Sequence, residues 1–299
     1  MDRLHQITVF AAIVDAGSFA GAARKLGLSP PAVTRAMNEL EGLLGVRLLT
    51  RTTRVVRVTE PGALYVEDCR RILAEMAEAD ASVSGLHGEP RGRLTITAPA
   101  RFGALHVAPV VAEYLRQYPE VTAACWFLDR VVHMVDEGVD VAVRIGELPD
   151  STLQAIRVGQ VRRVICAAPA YLAAQGAPRS PEDLREYVIV AASSVTSSPE
   201  WRFVVEGAPA AVKVSPRMTT TSNEAALHAA LLGLGVTRLL SYQVDEALRE
   251  GRLTALLQEF EEPPLPVHVV HRGGRHASRK ARAFIDLAVE RLRASPALR

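Results

Sequence analysis

The sequence predicts an α/β protein with several domains: a small helical domain with a wing at the N-terminus, one long helix, and a larger C-terminal part built as two α/β lobes. Three observations predict this arrangement. Apolar residues recur at helical spacing up to about residue 45, one uninterrupted helical pattern follows residue 60, and short apolar strands alternate with helices after residue 93. With 299 residues, of which 48% are hydrophobic, the chain is long enough to form more than one core.

The charge of the chain is distributed unevenly. A formal net charge of +2 is too small for the whole surface to coat nucleic acid. Residues 1–60 contain eight Lys/Arg against five Asp/Glu, so the basic excess lies at the N-terminus. No apolar run approaches the roughly 20 residues that cross a bilayer, and the N-terminus lacks the pattern of an export signal. We therefore expect a cytoplasmic protein without a membrane partner.

The first three elements are predicted to be short helices. Residues 4–16 carry apolar side chains at helical spacing and form a support helix. A second helix over 19–26 ends at Gly27, which tolerates the positive φ of a tight turn, and Ser29 is placed to cap a third helix. Two short helices joined through a glycine turn indicate a helix-turn-helix at about residues 19–38. An ordinary three-helix bundle is the alternative.

The third helix is predicted to have two faces. Its apolar stripe, residues 33, 37, 40 and 44, faces the core, whereas its first turn and a polar face point outward. The candidate DNA-binding residues of this outward surface are Ser29, Pro30, Pro31, Thr34, Arg35 and Asn38. Because proline side chains form no hydrogen bonds, we expect base recognition from the three polar side chains within the helix and apolar contact of the prolines with thymine methyl groups.

A wing is predicted directly after the third helix. Residues 48–59, LLTRTTRVVRVT, are rich in β-branched side chains and indicate two short strands. Arg51 and Arg54 are the candidate DNA contacts of this wing, with Arg57 nearby, because arginine suits phosphates and the narrow minor groove. The alternative is a hairpin that is merely solvated.

Residues 18–62, SFAGAARKLGLSPPAVTRAMNELEGLLGVRLLTRTTRVVRVTEPG, resemble the N-terminal signature of LysR-type transcriptional regulators. The resemblance continues in YPEV, DRVVHMVDEGVDVAVRIGELPDSTL, EGRLTALL and RKARAFIDLAVERL, so it covers essentially the whole chain. One departure is Pro30-Pro31, where the family often carries glutamine and a small polar residue.

The resemblance implies a winged helix-turn-helix, a long linker helix and a two-lobed, periplasmic-binding-protein-like effector domain. It also implies partners: double-stranded DNA with an approximately palindromic operator, a small-molecule effector, further copies of the chain in a homodimer or homotetramer, and RNA polymerase if the protein is an activator. It implies no cofactor. The domain boundaries that we expect are 1–59 for the winged domain, 60–87 for the linker helix, 88–93 for a hinge and 94–299 for the effector domain.

The linker helix is predicted to form a dimer. Between residues 61 and 86 no helix breaker interrupts the chain except near the ends, and apolar residues alternate in steps of four and three. This predicted dimer seam consists of Tyr65, Cys69, Ile72, Met76, Ala79, Val83 and Leu86. Because such a seam would remain in water unless it met another helix, dimerisation is expected. The alternative is packing of the seam against the chain's own effector domain.

The effector domain is predicted to alternate strands and helices. The expected elements are strands at 94–98, 121–128, 139–144, 236–240 and 266–272 and helices at 102–117, 131–137, 223–234, 243–250 and 278–293. Lobe 1 is expected to take about 94–163 and, by the resemblance, 266–299, and lobe 2 about 164–265. The cleft between two such lobes is the expected place for a ligand.

The candidate effector-binding residues lie at strand-to-helix corners, because helix N-termini offer N–H groups and a partial positive charge. They are Pro99, Ala100, Arg101 and Phe102 in lobe 1, and Thr220, Ser222 and Asn223 in lobe 2. Ser194 and Thr196, from a polar run at 193–198 in lobe 2, are expected to line the same cleft. Arg101 favours a small carboxylate or another anion as the effector. The alternative is an arginine that is simply exposed at the surface.

The sequence also bears on three other function classes. An enzyme is disfavoured because no nucleophile elbow, zinc-protease motif, phosphate-binding loop or dinucleotide fingerprint occurs, and a strand would turn His268 and His271 to opposite faces, which disfavours a metal site. A solute-binding protein would carry an export signal and no helix-turn-helix. A redox-sensing regulator using Cys125 and Cys166 stays an open alternative.

Overall fold

The computed structural model describes residues 2–51, 56–83, 89–192, 200–272 and 278–298. It divides into two compact units, Met1–Gly88 and Glu89–Arg299, which are described separately. Within the described residues no single helix is long and apolar enough to cross a membrane. The first two helices taken together reach that length and apolarity, with a bend of 120° between them.

The N-terminal unit is a winged helix-turn-helix. Its elements are α1 (Arg3–Ala16), α2 (Phe19–Leu26), α3 (Pro30–Leu44), β1 (Leu49–Arg51), β2 (Val56–Val58) and α4 (Glu60–Val83). The turn between α2 and α3 depends on Gly27, whose φ of 65° lies in the left-handed region. Here the Leu28 N–H donates to the Ala23 carbonyl at 2.9 Å. The predicted helix-turn-helix and wing are confirmed.

One apolar core joins all four helices and the wing. The side chains of Phe10 and Ile13 on α1, Val33 and Met37 on α3, and Cys69 on α4 are all fully buried in it. β1 and β2 pair antiparallel, with Leu49 opposite Val58. The first turns of α4 therefore belong to the N-terminal unit, because they pack on the same core as α3.

Lobe 1 of the C-terminal unit is built on a five-stranded mixed sheet with strand order β4-β3-β5-β14-β6. Its strands are β3 (Gly92–Ala98), β4 (Val121–Phe127), β5 (Val141–Ile145), β6 (Leu153–Val161) and β14 (Leu265–Arg272). The helices that pack on it are α5 (Ala100–Phe102), a π-helical turn (Gly103–Val107), α6 (Ala108–Gln117) and α10 (Arg279–Ala294). β14 enters the sheet antiparallel between β5 and β6.

Lobe 2 is built on a second five-stranded sheet, with strand order β11-β8-β12-β7-β13. Its strands are β7 (Arg163–Ala167), β8 (Ile189–Ala192), β11 (Pro216–Thr220), β12 (Val236–Leu240) and β13 (Thr254–Leu256). The remaining elements are α7 (Pro169–Gln175), a 3₁₀ turn (Pro181–Glu186), the hairpin β9 (Glu200–Val205) and β10 (Ala208–Lys213), α8 (Asn223–Leu231) and α9 (Ser241–Arg249).

The chain crosses between the lobes twice. The first crossing is at residue 162, between β6 and β7, and the second runs from β13 to β14. Each lobe has its own core: Leu94, Phe102 and Phe284 belong to that of lobe 1, whereas the two faces of the lobe 2 sheet carry separate clusters. The two-lobed α/β architecture is thus confirmed.

One predicted element of lobe 1 is wrong. Residues 131–137 are predicted to form a helix, but 131–133 are irregular and 134–138 form a turn. Side chains from other strands hold the carbonyl groups of this segment: Arg144 Nη2 donates to the Val132 carbonyl at 2.6 Å, and Arg272 Nη2 donates to the Val135 carbonyl at 3.2 Å. These tertiary hydrogen bonds outweigh the local helical pattern.

Candidate functional site

α3 presents one face to the core and the other to solvent. Val33, Met37 and Leu40 are fully buried, which fixes the rotation of the helix about its axis. Arg35 and Asn38 are exposed on the opposite side, together with the two prolines of the first turn. Because the buried stripe is rigidly packed, the outward side chains keep a defined orientation.

Two of the predicted DNA-binding side chains serve the helix start. The Ser29 hydroxyl accepts a hydrogen bond from the Ala32 N–H at 3.4 Å and so caps α3. The half-buried Thr34 donates its hydroxyl to the Pro30 carbonyl at 3.0 Å. Arg35, by contrast, forms no hydrogen bond or ion pair within the described part of the chain. It is therefore the cation on α3 that can reach an external partner.

The wing is anchored by a residue that sequence reasoning missed. Glu41 is only 5% exposed, and its Oε1 accepts hydrogen bonds from the backbone N–H groups of Leu48 at 2.8 Å and Leu49 at 3.1 Å. Its Oε2 accepts a third hydrogen bond from Arg47 at 3.0 Å. A signal was present, because Glu41 lies four residues after Met37 and so interrupts the apolar stripe of α3 with a charge.

A second missed feature joins the wing to α4. Thr59 donates its hydroxyl to the Arg47 carbonyl at 2.8 Å and accepts from the Gly62 N–H at 3.1 Å, so it caps α4 while holding the wing. A Cβ on Gly62 would lie 2.1 Å from the Leu48 carbonyl oxygen. The backbone of α4 can approach the wing this closely only because residue 62 is glycine.

An ion cluster on the surface connects α1, α2 and α4. Asp15 accepts hydrogen bonds from Arg70 on α4 at 2.6 Å and from Lys25 on α2 at 3.1 Å. Partial burial raises the pKa of Asp15, but the hydrogen bonds from the two cations outweigh burial and leave its pKa below the usual value. The start of α4 is thereby fixed to the helix-turn-helix by polar as well as apolar contacts.

The predicted dimer seam divides into two parts. Cys69 is 0% exposed and Tyr65 is half-buried against Phe10, with ring centroids 6.0 Å apart, so the chain's own α1 covers this half of the seam. The argument that the seam needs a partner is therefore wrong for Tyr65 and Cys69. Ile72 and Met76 are 43% and 44% exposed. Of the other predicted members, the Ala79 and Val83 side chains and Leu86 lie outside the described part.

The predicted effector-binding corners meet in the C-terminal unit. Pro99 to Phe102 lie where β3 leads into α5, and Ser222 and Asn223 lie where β11 leads into α8. Ala100 and Arg101 of the first corner and Ser222 and Asn223 of the second border an open groove of about 230 Å³. Ala104 and Leu105 form its apolar wall. Thr220 is not among the residues that line this groove; its hydroxyl accepts a hydrogen bond from the Ser222 N–H at 3.1 Å. Ser194 and Thr196 lie outside the described residues.

A carboxylate from lobe 1 already occupies the helix start that was expected to bind a ligand. Asp129 Oδ1 accepts a hydrogen bond from the Ala100 N–H at 2.9 Å, and its Oδ2 lies 3.4 Å from the amide nitrogen of Asn223. The Ser222 hydroxyl in turn caps α8 by accepting from the Ala225 N–H at 3.2 Å. Asp129, which the sequence did not single out, thus links the two corners.

Arg101 is not an unpaired cation. Its Nη1 forms an ion pair with the Glu224 carboxylate of lobe 2. The backbone carbonyl oxygen of Glu224 lies 2.9 Å from His228 Nδ1. The expectation that Arg101 attracts an anionic effector is therefore not supported, because an internal carboxylate neutralises it. The pair is instead a second link between the lobes.

Aromatic side chains fill the space behind Arg101. Phe102 contacts His106 of the π-helical turn and Tyr242 of α9, with ring centroids 4.8 Å and 5.2 Å apart. Burial lowers the pKa of His106 and raises the pKa of Tyr242 well above its usual range. Both groups are therefore neutral near pH 7, and this contact between the lobes is apolar in character.

The cysteines do not form a redox pair in the structure. Cys125 lies on β4 of the lobe 1 sheet, opposite Ile96, whereas Cys166 lies on β7 of the lobe 2 sheet, opposite Thr237. Burial raises the pKa of the Cys166 thiol to about 12, and partial burial also raises the pKa of Cys125. Thiols with raised pKa values are poor nucleophiles at neutral pH, which disfavours the redox alternative.

Comparisons with known proteins match both units. Residues 4–63 match the model described as bacterial regulatory helix-turn-helix protein, lysR family, and residues 87–293 match the LysR substrate binding domain. A transcriptional regulator from Xanthomonas campestris pv. campestris is 34% identical over 293 residues, 97% of this chain and 85% of its own. CrgA from Neisseria meningitidis serogroup B is 34% identical over 289 residues, 96% of each chain.

Solved structures agree with these matches. The structure of CrgA, a LysR-type transcriptional regulator from Neisseria meningitidis, has a TM-score of 0.62 at 33% identity and covers 96% of this chain and 98% of its own. The full-length virulence activator AphB from Vibrio cholerae has a TM-score of 0.62 at 23% identity, covering 97% and 99% of the two chains. The likeness to AphB concerns the fold alone.

Proposed function

The chain belongs to the LysR family of bacterial transcriptional regulators, and from this premise we propose that α3 reads operator DNA mainly through Arg35. The protein is a transcription regulator with a DNA-binding helix-turn-helix and an effector-binding domain. The observation that carries the proposal is the combination on α3 of a fully buried stripe with an exposed arginine that has no partner within the described residues. Asn38 and the two exposed prolines would complete this surface. Arg51, at the end of β1, and Arg54, which lies outside the described residues, would contact the DNA backbone.

Replacement of Arg35 with alanine is expected to relax or abolish site preference. If Arg35 forms a bidentate contact with a guanine, its loss costs about 1–3 kcal/mol of discrimination. The measurement is protection mapping of DNA around the protein's own gene, with affinities for the protected site and for a scrambled site compared. An Arg35→Ala footprint identical to that of the wild type would refute the role.

Arg57→Ala provides the matched comparison. Arg57 is exposed on β2 of the wing, where a cation is suited to phosphate rather than to a base edge. We expect this variant to bind both sites more weakly by a similar factor and to reduce the salt dependence of binding by about one phosphate contact. The two variants therefore separate base reading from electrostatic attraction.

We propose that the chain dimerises through the exposed half of the α4 seam. Ile72 and Met76 project beyond the part of α4 that packs on α1, and burying such side chains against a second helix is favourable. A two-fold dimer would read half-sites about one helical turn apart in an approximately palindromic operator. Dimer and tetramer are both compatible with this seam.

The double variant Ile72→Asp/Met76→Asp is expected to weaken the dimer strongly, because four carboxylates would face each other across the seam. Analytical ultracentrifugation at several protein concentrations measures the shift toward monomer. Ile72→Leu/Met76→Leu, which keeps the seam apolar, should remain associated. An Asp variant with the same sedimentation as the wild type would remove α4 from the interface.

We also propose that the effector binds in the groove between the corners at 99–102 and 220–223. Asp129–Asn223 and Arg101–Glu224 join the lobes there, so a ligand that replaced either contact would change how the lobes meet. Such a ligand shifts the spacing of the two winged helix-turn-helix units in the dimer if it binds one lobe arrangement more tightly than the other. Identical footprints with and without a bound ligand would contradict this mechanism.

The remaining assignments follow from the family and the DNA-binding role. We propose that the protein acts in the cytoplasm, where bacterial DNA lies, that it has no catalytic activity, and that as an activator it would contact RNA polymerase. The alternatives of an enzyme and a solute-binding protein do not account for the winged helix-turn-helix. The redox alternative is disfavoured by the separate positions and raised pKa values of Cys125 and Cys166.

A further inference from the structure

Charged side chains crowd together where the chain crosses between the lobes. Arg162, in the first crossing, donates from Nη1 to Glu261 Oε2 of the second crossing at 2.7 Å. The following residue on each side repeats the arrangement, because Nη1 of Arg163, at the start of β7, lies 3.3 Å from Glu262 Oε2. Two consecutive ion pairs therefore fasten the crossings to each other.

A further arginine shares the second of these carboxylates. Arg238 on β12 lies beside β7, with Arg238 opposite Ile165, and its Nη1 is 4.0 Å from Glu262 Oε2. This distance is too long for a hydrogen bond. The Glu262 carboxylate thus lies near the guanidinium groups of both Arg163 and Arg238 but forms a close contact only with Arg163.

The surroundings of Arg238 leave its charge poorly compensated. Its guanidinium carbon lies 5.1 Å from the ring centroid of Trp201, and its Nη1 is buried without a hydrogen-bond partner. Burial, together with the nearby charges of Arg163 and Arg202, lowers the pKa of Arg238 to about 10 against the opposing effect of Glu262. At neutral pH the group stays protonated, so a cation without an adequate acceptor lies at this position.

We propose that Arg163 and Arg238, here called the arginine cluster, bind the carboxylate or phosphate group of a small anion, with Glu262 as the internal counter-ion. Two guanidinium groups against one carboxylate leave an excess of one positive charge. Guanidinium groups match the geometry of both oxyanions, and stacking on Trp201 holds one of them in a fixed plane. Nη1 of Arg238 is buried, but 31% of the Arg163 side chain and 21% of the Arg238 side chain are exposed, so an anion would approach through these exposed atoms.

The arginine cluster is distinct from the groove at the corners. Ile165 and Val236, which lie on the same sheet face as Arg163 and Arg238, pack with Trp201 beneath the β9–β10 hairpin. The helices α8 and α9, with Leu227 and Ala247, cover the opposite face. Anion binding at the cluster is therefore independent of Arg101 and of whether α3 reads DNA. Because Glu262 belongs to the second crossing, an anion that competes with it acts directly on the connection between the lobes.

Titration of the full-length protein with inorganic phosphate tests the proposal. Trp201 reports binding through its fluorescence once the other tryptophan is removed by Trp126→Phe, and sodium chloride keeps the ionic strength constant. We expect a saturable fluorescence change at millimolar phosphate together with a rise in Tm. Arg238→Met, which keeps the stem but removes the charge, should weaken binding by about tenfold or more, as expected for loss of a charge-assisted pair.

Two further variants make the outcome decisive. Arg249→Met removes an arginine that is 70% exposed and paired with Asp245 on α9, and it should bind phosphate like the wild type. Glu262→Gln removes the competing carboxylate and should tighten phosphate binding several-fold, which gives a result even if Arg238→Met does not fold. Absence of a saturable response in the wild type, equal responses of Arg238→Met and Arg249→Met, or weaker binding by Glu262→Gln would each overturn the proposal. Operator binding of the same variants is measured in parallel. A failure of phosphate binding with intact operator binding would then count against the anion site and not against the proposed role of α3 in reading DNA.

Discussion

Gly62→Ala is expected to unfold the DNA-binding unit selectively. The added Cβ would lie 2.1 Å from the Leu48 carbonyl oxygen and 3.0 Å from Val58 Cγ1, so the wing and the start of α4 must separate. Overpacking of this kind against backbone costs about 3 kcal/mol, which lowers Tm by roughly 10 °C or more in a unit of this size. Operator binding should be lost with the wing geometry.

The two tryptophans allow this effect to be assigned to one unit. Trp126 and Trp201 both lie in the C-terminal unit, so tryptophan fluorescence does not report on the winged helix-turn-helix, whereas circular dichroism reports on all helices. We expect the dichroism of Gly62→Ala to show a new transition at lower temperature while the fluorescence transition stays in place. Unchanged dichroism would show that the close approach at Gly62 is not required.

Gly42→Ala is the matched control. Gly42 is exposed within α3, and a Cβ there would meet no atom within 4 Å. Because alanine is favoured over glycine inside a helix by roughly 0.5–1 kcal/mol, this variant should be slightly more stable than the wild type. Replacing glycine with alanine is thus expected to raise the free energy of unfolding at position 42 and to lower it at position 62.

Glu41→Ala is expected to detach the wing from α3. The substitution removes the acceptor of the Leu48 and Leu49 N–H groups, both of which belong to residues that are 2% exposed. Unsatisfied buried donors cost about 1–3 kcal/mol each, so we expect a loss of roughly 3 kcal/mol in the free energy of unfolding of the N-terminal unit. Thermal unfolding followed by circular dichroism measures this loss.

Arg47→Ala separates the backbone contacts of Glu41 from its ion pair. Arg47 is 76% exposed, and pairs at the surface contribute only about 0–1 kcal/mol. We therefore expect a small change in stability, far below that of Glu41→Ala. If the two variants were equally destabilised, the ion pair rather than the two amide contacts would hold the wing.

The N-terminal elements could be predicted well because their boundaries depend on neighbouring residues. Ser18 caps α2, Gly27 ends it, and Ser29 caps α3, and each of these effects acts within four residues along the chain. The failure at 131–137 has the opposite cause. Arg144 and Arg272, which hold that segment in turns, come from strands that a local pattern does not connect to it.

The sites were predicted less completely than the fold. The residue types at the corners were anticipated, but their partners were not, because Asp129 and Glu224 reach Ala100 and Arg101 only through the tertiary fold. The exposure of Cys69 was misjudged for a related reason. A heptad pattern shows which side chains share a face, but it does not show whether that face meets a second chain or the same one.

The position of β14 has a consequence for the order in which the chain is assembled during synthesis. β14 is made after all of lobe 2, yet it lies between β5 and β6, which are made before it. The sheet of lobe 1 is therefore incomplete, with unpaired edges on β5 and β6, until roughly the next 100 residues have been synthesised. This segment is half of the effector domain, and its synthesis takes several seconds at ordinary rates. Lobe 2 can fold from one continuous segment during that interval, and lobe 1 is completed last, by the segment nearest the C-terminus.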